Sequence, residues 1–206
     1  MTTRGVTRRE VLRQLAVALT AAGSGAFNIE AARVVHTLVG EARAQPDGYT
    51  PAALTTHEFR TVSRLAELII PADERGGSAV EAGAPEFIDL LCSQNVALAS
   101  IYREGVNWLD DAMRGRHGQN FFDTTAAEQL AILDGLVEVE RGRGSRELRG
   151  GVGFFGWVRR MAVDAYYTSP IGIADVGFRG NQVLSAYETP PDALEFVAKA
   201  ADDLGL

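Results

Sequence analysis

The chain is poor in the residues that build metal and disulfide sites. Among its 206 residues there is one cysteine, Cys92, which excludes a disulfide framework, a zinc cluster of thiolates and an iron–sulfur site built by this chain alone. Its three histidines, His36, His57 and His117, are spread along the sequence and leave little for a histidine-rich metal site. The sequence therefore predicts no metal bound by this chain.

Positive charge is also scarce. The 27 Asp+Glu residues outnumber the 20 Lys+Arg residues, and the formal net charge of -7 argues against a phosphate-backbone partner, so we expect no nucleic acid among its partners. The composition that remains, 46% hydrophobic and 23% charged, is typical of a globular protein. At roughly 100–200 residues per domain, the length predicts one domain with a short appendage.

The first 44 residues differ from the rest of the chain. They contain six arginines against three glutamates, a net charge of +3, whereas the remaining residues carry -10. A basic start, a modest apolar stretch and the small-x-small site Ala42-Arg43-Ala44 predict an export signal over residues 1–44 and a helical domain over residues 45–206. The apolar stretch is shorter than the about 20 residues that a membrane anchor needs. Cleavage nearer Ala26 is the alternative to cleavage after Ala44.

The paired arginines make this signal more specific. The run Thr7-Arg8-Arg9-Glu10-Val11-Leu12-Arg13 resembles a twin-arginine (Tat) signal, although Val11 stands where that motif often has Phe. A receptor reads such signals, which are not membrane anchors. The resemblance implies that the Tat translocase exports the chain, already folded, to the periplasm or the periplasmic face of the inner membrane. The alternative is the first amphipathic helix of a cytosolic regulator.

The rest of the chain has the pattern of helices. Two capping boxes, at Thr55 and Thr125, each have Glu three residues later and precede apolar residues at helical spacing. Further helical patterns run from about Pro85 to Arg114, from Phe154 to Tyr167 and from Asp192 to Leu204, and alternation typical of strands is nearly absent. We therefore predict an all-α fold, a compact bundle of about five helices with long irregular loops, preceded by the export signal.

One glycine-rich segment matches a nucleotide-binding motif literally. Gly151-Val152-Gly153-Phe154-Phe155-Gly156 has the spacing of the dinucleotide fingerprint, but that motif needs a buried strand before it. The arginine-rich run that precedes it cannot be such a strand, and two phenylalanines are bulky for a loop around a pyrophosphate. We interpret the segment as a loop that leads into a helix, and we expect no cofactor in this chain.

The polar residues form no recognisable catalytic arrangement. The pairs Asp110-Asp111 and Asp202-Asp203 are adjacent on helices, so their side chains diverge, and we interpret them as solvated surface. His57 and His117 have no neighbouring nucleophile and are expected to be isolated surface residues. One loop contains four arginines. It is either a solvated loop or a binding site for an anion or an acidic partner. The four residues are Arg141, Arg143, Arg146 and Arg149. Cys92, on an apolar stripe, is predicted to be a buried thiol.

Aromatic residues concentrate towards the C-terminal part of the chain, beside an irregular segment over residues 171–190. They either fill the core or form an interface, because aromatic residues and arginine anchor such surfaces. The candidate interface residues are Phe154, Phe155, Trp157, Tyr166, Tyr167, Phe178 and Arg179.

Several blocks of the sequence resemble a known family. Leu65–Asp73 (LAELIIPAD) and Ala82–Asp89 (AGAPEFID) are similar to the opening of the gluconate 2-dehydrogenase subunit 3 family. Phe121-Phe122, Tyr167-Thr168-Ser169-Pro170 and Gly177-Phe178-Arg179-Gly180 also fit its pattern. The resemblance covers about residues 56–181 and is most specific in the first two blocks.

The resemblance implies a small Tat-signalled subunit of a periplasmic or membrane-associated dehydrogenase that acts on sugars, sugar acids or polyols. The implied partner is a large flavoprotein of the glucose-methanol-choline (GMC) type, which holds the FAD, and a cytochrome c subunit often takes the electrons. In that family the small subunit helps to export, mature and stabilise the flavoprotein. It has no established catalytic residues, so only the twin-arginine feature maps onto this chain, at Arg8 and Arg9.

The leading hypothesis from the sequence is thus a non-catalytic accessory subunit of an FAD-dependent dehydrogenase. One rival is a stand-alone exported helical enzyme or binding protein, which would bind nucleotides or flavins by itself. The other is a cytosolic helical regulator, which would stay in the cytoplasm and would not change location when Lys replaces Arg8 and Arg9.

Overall fold

Helices make up the regular structure of the described part of this chain. The computed structural model describes residues 29–178 and 189–205, together with the single residues Thr7, Glu10 and Arg13. Across that part of the chain there are two 3-10 turns, Phe121–Asp123 and Arg146–Leu148, no strand, and eight α-helices. The helices are α1 (Ile29–Arg43), α2 (Thr56–Ile69), α3 (Ala84–Gln94), α4 (Val96–His117), α5 (Ala126–Glu140), α6 (Arg149–Tyr167), α7 (Pro170–Asp175) and α8 (Pro191–Leu204).

The all-α prediction is confirmed, whereas the number of helices is higher than predicted. The pattern from Pro85 to Arg114 is divided into α3 and α4, and α1 and α7 were not predicted at all. The twin arginines Arg8 and Arg9, and the candidate interface residue Arg179, lie outside the described residues.

Both predicted capping boxes start helices. At α2, the Thr55 hydroxyl accepts a hydrogen bond from the Glu58 N–H, and the Glu58 carboxylate accepts one from the Thr55 N–H at 2.7 Å. The same reciprocal pair joins Thr125 and Glu128 at the start of α5. Each cap satisfies backbone donors that the first helical turn leaves unpaired, and such caps are worth about 1 kcal/mol.

Asn95 separates α3 from α4. Its backbone is extended, and its side-chain oxygen accepts a hydrogen bond from the Leu98 N–H at 3.1 Å, so it caps the next helix. A short polar side chain that bonds its own backbone competes with helix continuation, which is why the uninterrupted pattern breaks here. At the other end of α4, Gly118 adopts a left-handed conformation, which is typical of the residue that follows a helix.

Helix α6 is central to the bundle and packs against α2, α3, α4, α5 and α7. It begins at Arg149 rather than Phe154, so the glycine-rich segment is helical instead of being the predicted loop. Glycine lets α4 and α6 approach closely: a Cβ on Gly151 would lie 2.0 Å from the Trp108 ring, and one on Gly105 would lie 2.1 Å from the Phe154 ring.

The two end helices differ in how they pack. Helix α1, which falls inside the predicted 1–44 signal segment, places Ala32, Val35 and Val39 in the core. Helix α8 buries none of its residues, and its Leu194, Phe196 and Val197 side chains are exposed. No helix in residues 29–178 or 189–205 is long and apolar enough to cross a membrane.

Candidate partner interface

A surface groove of the described chain lies between α1 and the connection from α6 to α7. Its volume is about 670 Å³ and its lining is mainly apolar. Val39 of α1 lines the groove, as does Ala82 in the turn before α3. Pro170, Ile171 and Ile173 line it from α7. Arg33 and Arg43 also line the groove from α1. We call this feature the α1–α7 groove.

His36 joins the two walls of the α1–α7 groove. Its Nε2 lies 3.0 Å from the Thr168 hydroxyl, which itself donates to the Asp164 carbonyl at 2.7 Å. The imidazole also packs against the Phe87 ring, 5.0 Å between centroids. Burial lowers the pKa of His36 to about 4, so the ring is neutral at pH 7.

A tight turn fixes the α7 wall of the groove. The Ser169 hydroxyl donates to the Tyr166 carbonyl at 2.6 Å and accepts from the Gly172 N–H at 3.0 Å, which caps α7. Gly172 is required here because a Cβ would lie 2.1 Å from the Tyr166 carbonyl oxygen. Ser169, Pro170 and Gly172 therefore hold the two isoleucines of α7 in place along the groove.

Exposed apolar side chains lie next to this wall. Tyr167, Val176 and Phe178 are 45%, 58% and 59% exposed, and the Phe178 N–H is tied back to the Ile173 carbonyl at 3.1 Å. We call Tyr167 and Phe178, together with Val176 between them in sequence, the aromatic rim. Apolar side chains clustered beside a groove are typical of a surface that another protein covers.

The structure separates the predicted interface residues into two groups. Phe154, Phe155 and Tyr166 are in this chain's own core, and the Phe154 ring meets the Tyr102 ring edge to face at 6.1 Å. They are on the inner face of α6 and are not available to a partner. Tyr167 and Phe178 are exposed. Trp157 is half-buried, and the Arg160 guanidinium lies 4.8 Å from its ring centroid.

The comparisons with known proteins give one match. A family model described as gluconate 2-dehydrogenase subunit 3 matches residues 56–185, more than half of the chain. The chain belongs to this family. Searches of curated proteins and of solved structures return no match.

As a member of the gluconate 2-dehydrogenase subunit 3 family, the chain is an accessory subunit of an oxidoreductase complex that contains other subunits. The matched residues run from α2 through α7 and include the α7 wall of the groove and the aromatic rim. The opposite wall, α1, precedes the match, and α8 follows it.

The sequence interpretation of Asp110 as solvated surface is wrong. The side chain is buried, and its carboxylate accepts hydrogen bonds from the Phe121 N–H at 2.9 Å and from His57 Nε2 at 2.5 Å. His57 is therefore not an isolated surface histidine. The helical register that turns Asp111 outwards turns Asp110 inwards, against the 3-10 turn that begins at Phe121. A single acidic pair in a sequence does not show which of its members is buried.

A second buried carboxylate gave no sequence signal. Asp89 on α3 is fully buried and accepts from the N–H groups of Ala52, Ala53 and Leu54 and from the Tyr49 hydroxyl. Its role is to anchor the segment that leads into α2. Partners 35 to 40 residues away in sequence leave no local pattern to detect.

The structure also places the other polar candidates. His117 is not isolated, because its Nδ1 lies 3.0 Å from Glu128 Oε1. Cys92 is buried, as predicted, and burial raises the pKa of its thiol, so it is a poor nucleophile. Arg141 and Arg143 bond the Glu138 carboxylate, at 3.1 and 2.9 Å, in an exposed loop. Among the described residues, no three His, Cys, Asp or Glu side chains are placed to hold a metal ion.

Proposed function

We propose that this chain is the non-catalytic accessory subunit of a periplasmic FAD-dependent sugar or sugar-acid dehydrogenase. Membership of the gluconate 2-dehydrogenase subunit 3 family carries the proposal, because it names a dehydrogenase subunit. The partner is a large flavoprotein of the GMC type that holds the FAD, with a cytochrome c subunit as a further member of the complex. This chain supports the export, maturation and stability of the flavoprotein.

The aromatic rim and the α1–α7 groove form the proposed contact surface for the flavoprotein. Interfaces are anchored by a few aromatic side chains beside a pocket, and Tyr167 and Phe178 supply such side chains next to the groove. Obligate interfaces commonly bury about 2,000 Å² or more, so the contact has to extend past the rim along α7 and α1. Trp157, on the exposed side of α6, is a further candidate contact.

The export signal suits this role. The Arg8-Arg9 pair resembles a signal for folded cargo, and we expect no cofactor in this chain. A single signal on the small subunit accounts for the resemblance and for this expectation if the flavoprotein folds, binds FAD and assembles with this chain in the cytoplasm, and the complex is then exported. Replacing Arg8 and Arg9 by lysine is then expected to leave both subunits in the cytoplasm.

The first test is a pull-down of the chain from its own host, with mass spectrometry and an absorption spectrum of the eluate. We expect a co-purifying protein of several hundred residues with a flavin spectrum. A lone, colourless and stable chain would overturn the proposal. Tight binding of a flavin or nucleotide by the isolated chain would instead support a stand-alone exported enzyme.

A double variant and a matched control test the proposed contact surface for the flavoprotein. Tyr167→Ala with Phe178→Ala is expected to lower recovery of the flavoprotein by tenfold or more without lowering the melting temperature of the isolated chain. The control is Val96→Ala, which removes another exposed apolar side chain at the start of α4 and should leave recovery unchanged. Equal recovery with both variants would place the interface elsewhere on the subunit.

A further inference from the structure

The inner face of α1 belongs to the core of the folded domain. Ala32 and Val35 are fully buried and Val39 nearly so, and α1 packs against α3. Gly83, with a positive φ of 85°, allows this approach, because a Cβ there would lie 2.9 Å from Val39 Cγ1. Cleavage after Ala44, at the small-x-small site that the sequence suggests, would remove these three side chains from the core.

Arg43 ties the end of α1 to the start of α3. Its Nε donates to Glu86 Oε1 at 2.7 Å, and its other nitrogens donate to the carbonyls of Glu81 at 3.0 Å and Val80 at 2.5 Å. Glu86 is buried, so loss of Arg43 would leave a buried carboxylate without its cation, an unfavourable arrangement. The middle residue of the apparent cleavage site is therefore a structural residue.

His36 provides a second attachment of α1. Through Thr168 it holds the connection between α6 and α7, and through Phe87 it contacts α3. A chain without α1 would lose one wall of the α1–α7 groove. The partner surface proposed above thus exists only while α1 is part of the protein.

The bond after Ala44 is also poorly presented to a protease. Ala42 and Arg43 are helical, and the Ala44 N–H still bonds to the Gly40 carbonyl at 3.1 Å. Proteases bind the residues before the cut as an extended strand, which a packed helix end cannot supply without unfolding. Because a Tat substrate is folded before it is exported, α1 would already be packed when the leader is cut.

We propose that α1 remains in the exported protein and that the leader is cut before Ile29, between Ala26 and Phe27. Ser24-Gly25-Ala26 is a small-x-small sequence there, and the resulting leader of 26 residues has the length of ordinary signal peptides, about 15–30 residues. Water hydrolyses the amide: its oxygen bonds to the Ala26 carbonyl carbon as the C–N bond breaks, and a proton of the water goes to the Phe27 nitrogen, which becomes the new amino terminus. The inference rests on the export that forms part of the proposed function.

The test is the intact mass and the N-terminal peptide of the chain recovered from the periplasm of its host. We expect the mature chain to begin at Phe27. A mature chain that begins at Gln45, or an exported chain that keeps its leader, would overturn the inference while leaving export itself supported. An uncut chain confined to the cytoplasm would instead contradict export, and with it both proposals.

Two variants with the same chemical change distinguish cleavage after Ala26 from cleavage after Ala44. Ala26→Glu is expected to block cleavage, so that the full-length mass accumulates, because a charged residue replaces the small one that the site needs. Ala44→Glu, at an exposed position after α1, is expected to leave the mature mass unchanged apart from the substitution when α1 is retained. Blocked cleavage of Ala44→Glu together with normal cleavage of Ala26→Glu would overturn the inference. Normal cleavage of Ala26→Glu at the same bond would also overturn it.

Discussion

The Tyr49 hydroxyl donates a hydrogen bond of 2.6 Å to the Asp89 carboxylate, although the two residues are 40 positions apart. Burial and the carboxylate both raise the pKa of Tyr49, so the phenol keeps its proton and remains a donor. Three backbone N–H groups, from Ala52 to Leu54, complete the shell of Asp89. This carboxylate fixes the path of the chain between α1 and α2.

Loss of the Asp89 carboxylate is expected to destabilise the whole domain. In Asp89→Ala, the N–H groups of residues 52–54 and the Tyr49 hydroxyl lose their buried acceptor, and we expect the free energy of unfolding to fall by about 3 kcal/mol or more. Urea unfolding of the purified chain measures this. Asp134→Ala, at an exposed position on α5, is the control and should change the stability by less than about 0.5 kcal/mol. Similar values for both variants would contradict the role given to Asp89.

Two glycines of α4 are expected to respond in opposite directions to alanine. Gly105→Ala places a Cβ 2.1 Å from the Phe154 ring and should cost about 1–3 kcal/mol or more, because the packed core has no room for it. Gly115→Ala meets nothing within 4 Å and should stabilise the helix by about 0.5–1 kcal/mol. Thermal unfolding of the two variants decides this.

A double variant tests the cause of the Gly105 effect. If the clash with Phe154 is responsible, Phe154→Leu in the Gly105→Ala background should recover part of the lost stability, although Phe154→Leu alone destabilises the protein. Strictly additive losses in the double variant would show that the two residues do not interact.

The neighbouring aspartates of α4 are expected to behave differently. Asp110→Ala leaves the buried Phe121 N–H and His57 without their acceptor and should lower the free energy of unfolding by about 2 kcal/mol. Asp111→Ala removes only an exposed ion pair with Arg114 and should cost less than about 0.5 kcal/mol. Denaturant titrations of the two variants check this contrast, and a larger loss for Asp111→Ala would contradict the observed register.

His36 is expected to make the protein less stable in acid. Its folded-state pKa of about 4 lies below the usual 6.5, so between these values the unfolded chain binds more protons than the folded one. Its contribution is complete above about pH 6.5 and is lost as the pH falls towards 4. The slope is below the about 1.4 kcal/mol per pH unit of a single proton, because the ring is partly exposed.

The measurement is the urea midpoint of the wild-type protein and of His36→Gln from pH 7 to pH 4. Gln keeps a polar side chain that can hydrogen-bond to Thr168 but has no titrating group, so its stability curve should be flatter over this range. His117→Gln, which leaves His36 in place, should retain the loss in acid. Parallel curves of urea midpoint against pH for the wild-type protein and His36→Gln would contradict the assignment of this loss of stability to His36.

Local signals account for the parts of the fold that the sequence predicted. The capping boxes at Thr55 and Thr125 depend on residues within a few positions of each other, and both occur in the structure. The division at Asn95 was missed because an apolar pattern continues across it. The helix start at Arg149 was missed because four glycines between positions 150 and 156 argue against a helix unless another element packs closely against them.

The candidate site could be predicted only in part. The aromatic cluster around α6 was visible in the sequence, but periodicity could not show that Phe154, Phe155 and Tyr166 point inwards while Tyr167 points outwards. The α1 wall of the groove was assigned to a leader because its arginines and small residues are also typical of export signals. Its contacts with Glu86, Phe87 and Thr168 join positions far apart in the chain.

By itself, the sequence determined the all-α class, the capped helix starts, the family and the expectation of an exported subunit, because each depends on composition or on residues close together in the chain. Only the tertiary structure showed that the inner face of α1 packs in the core, that Asp89 and Asp110 are buried, and that a groove lies between α1 and α7. The reason is physical. Burial and hydrogen bonding between distant segments are set by how the helices pack, and a one-dimensional pattern records which residues are apolar but not which of them meet.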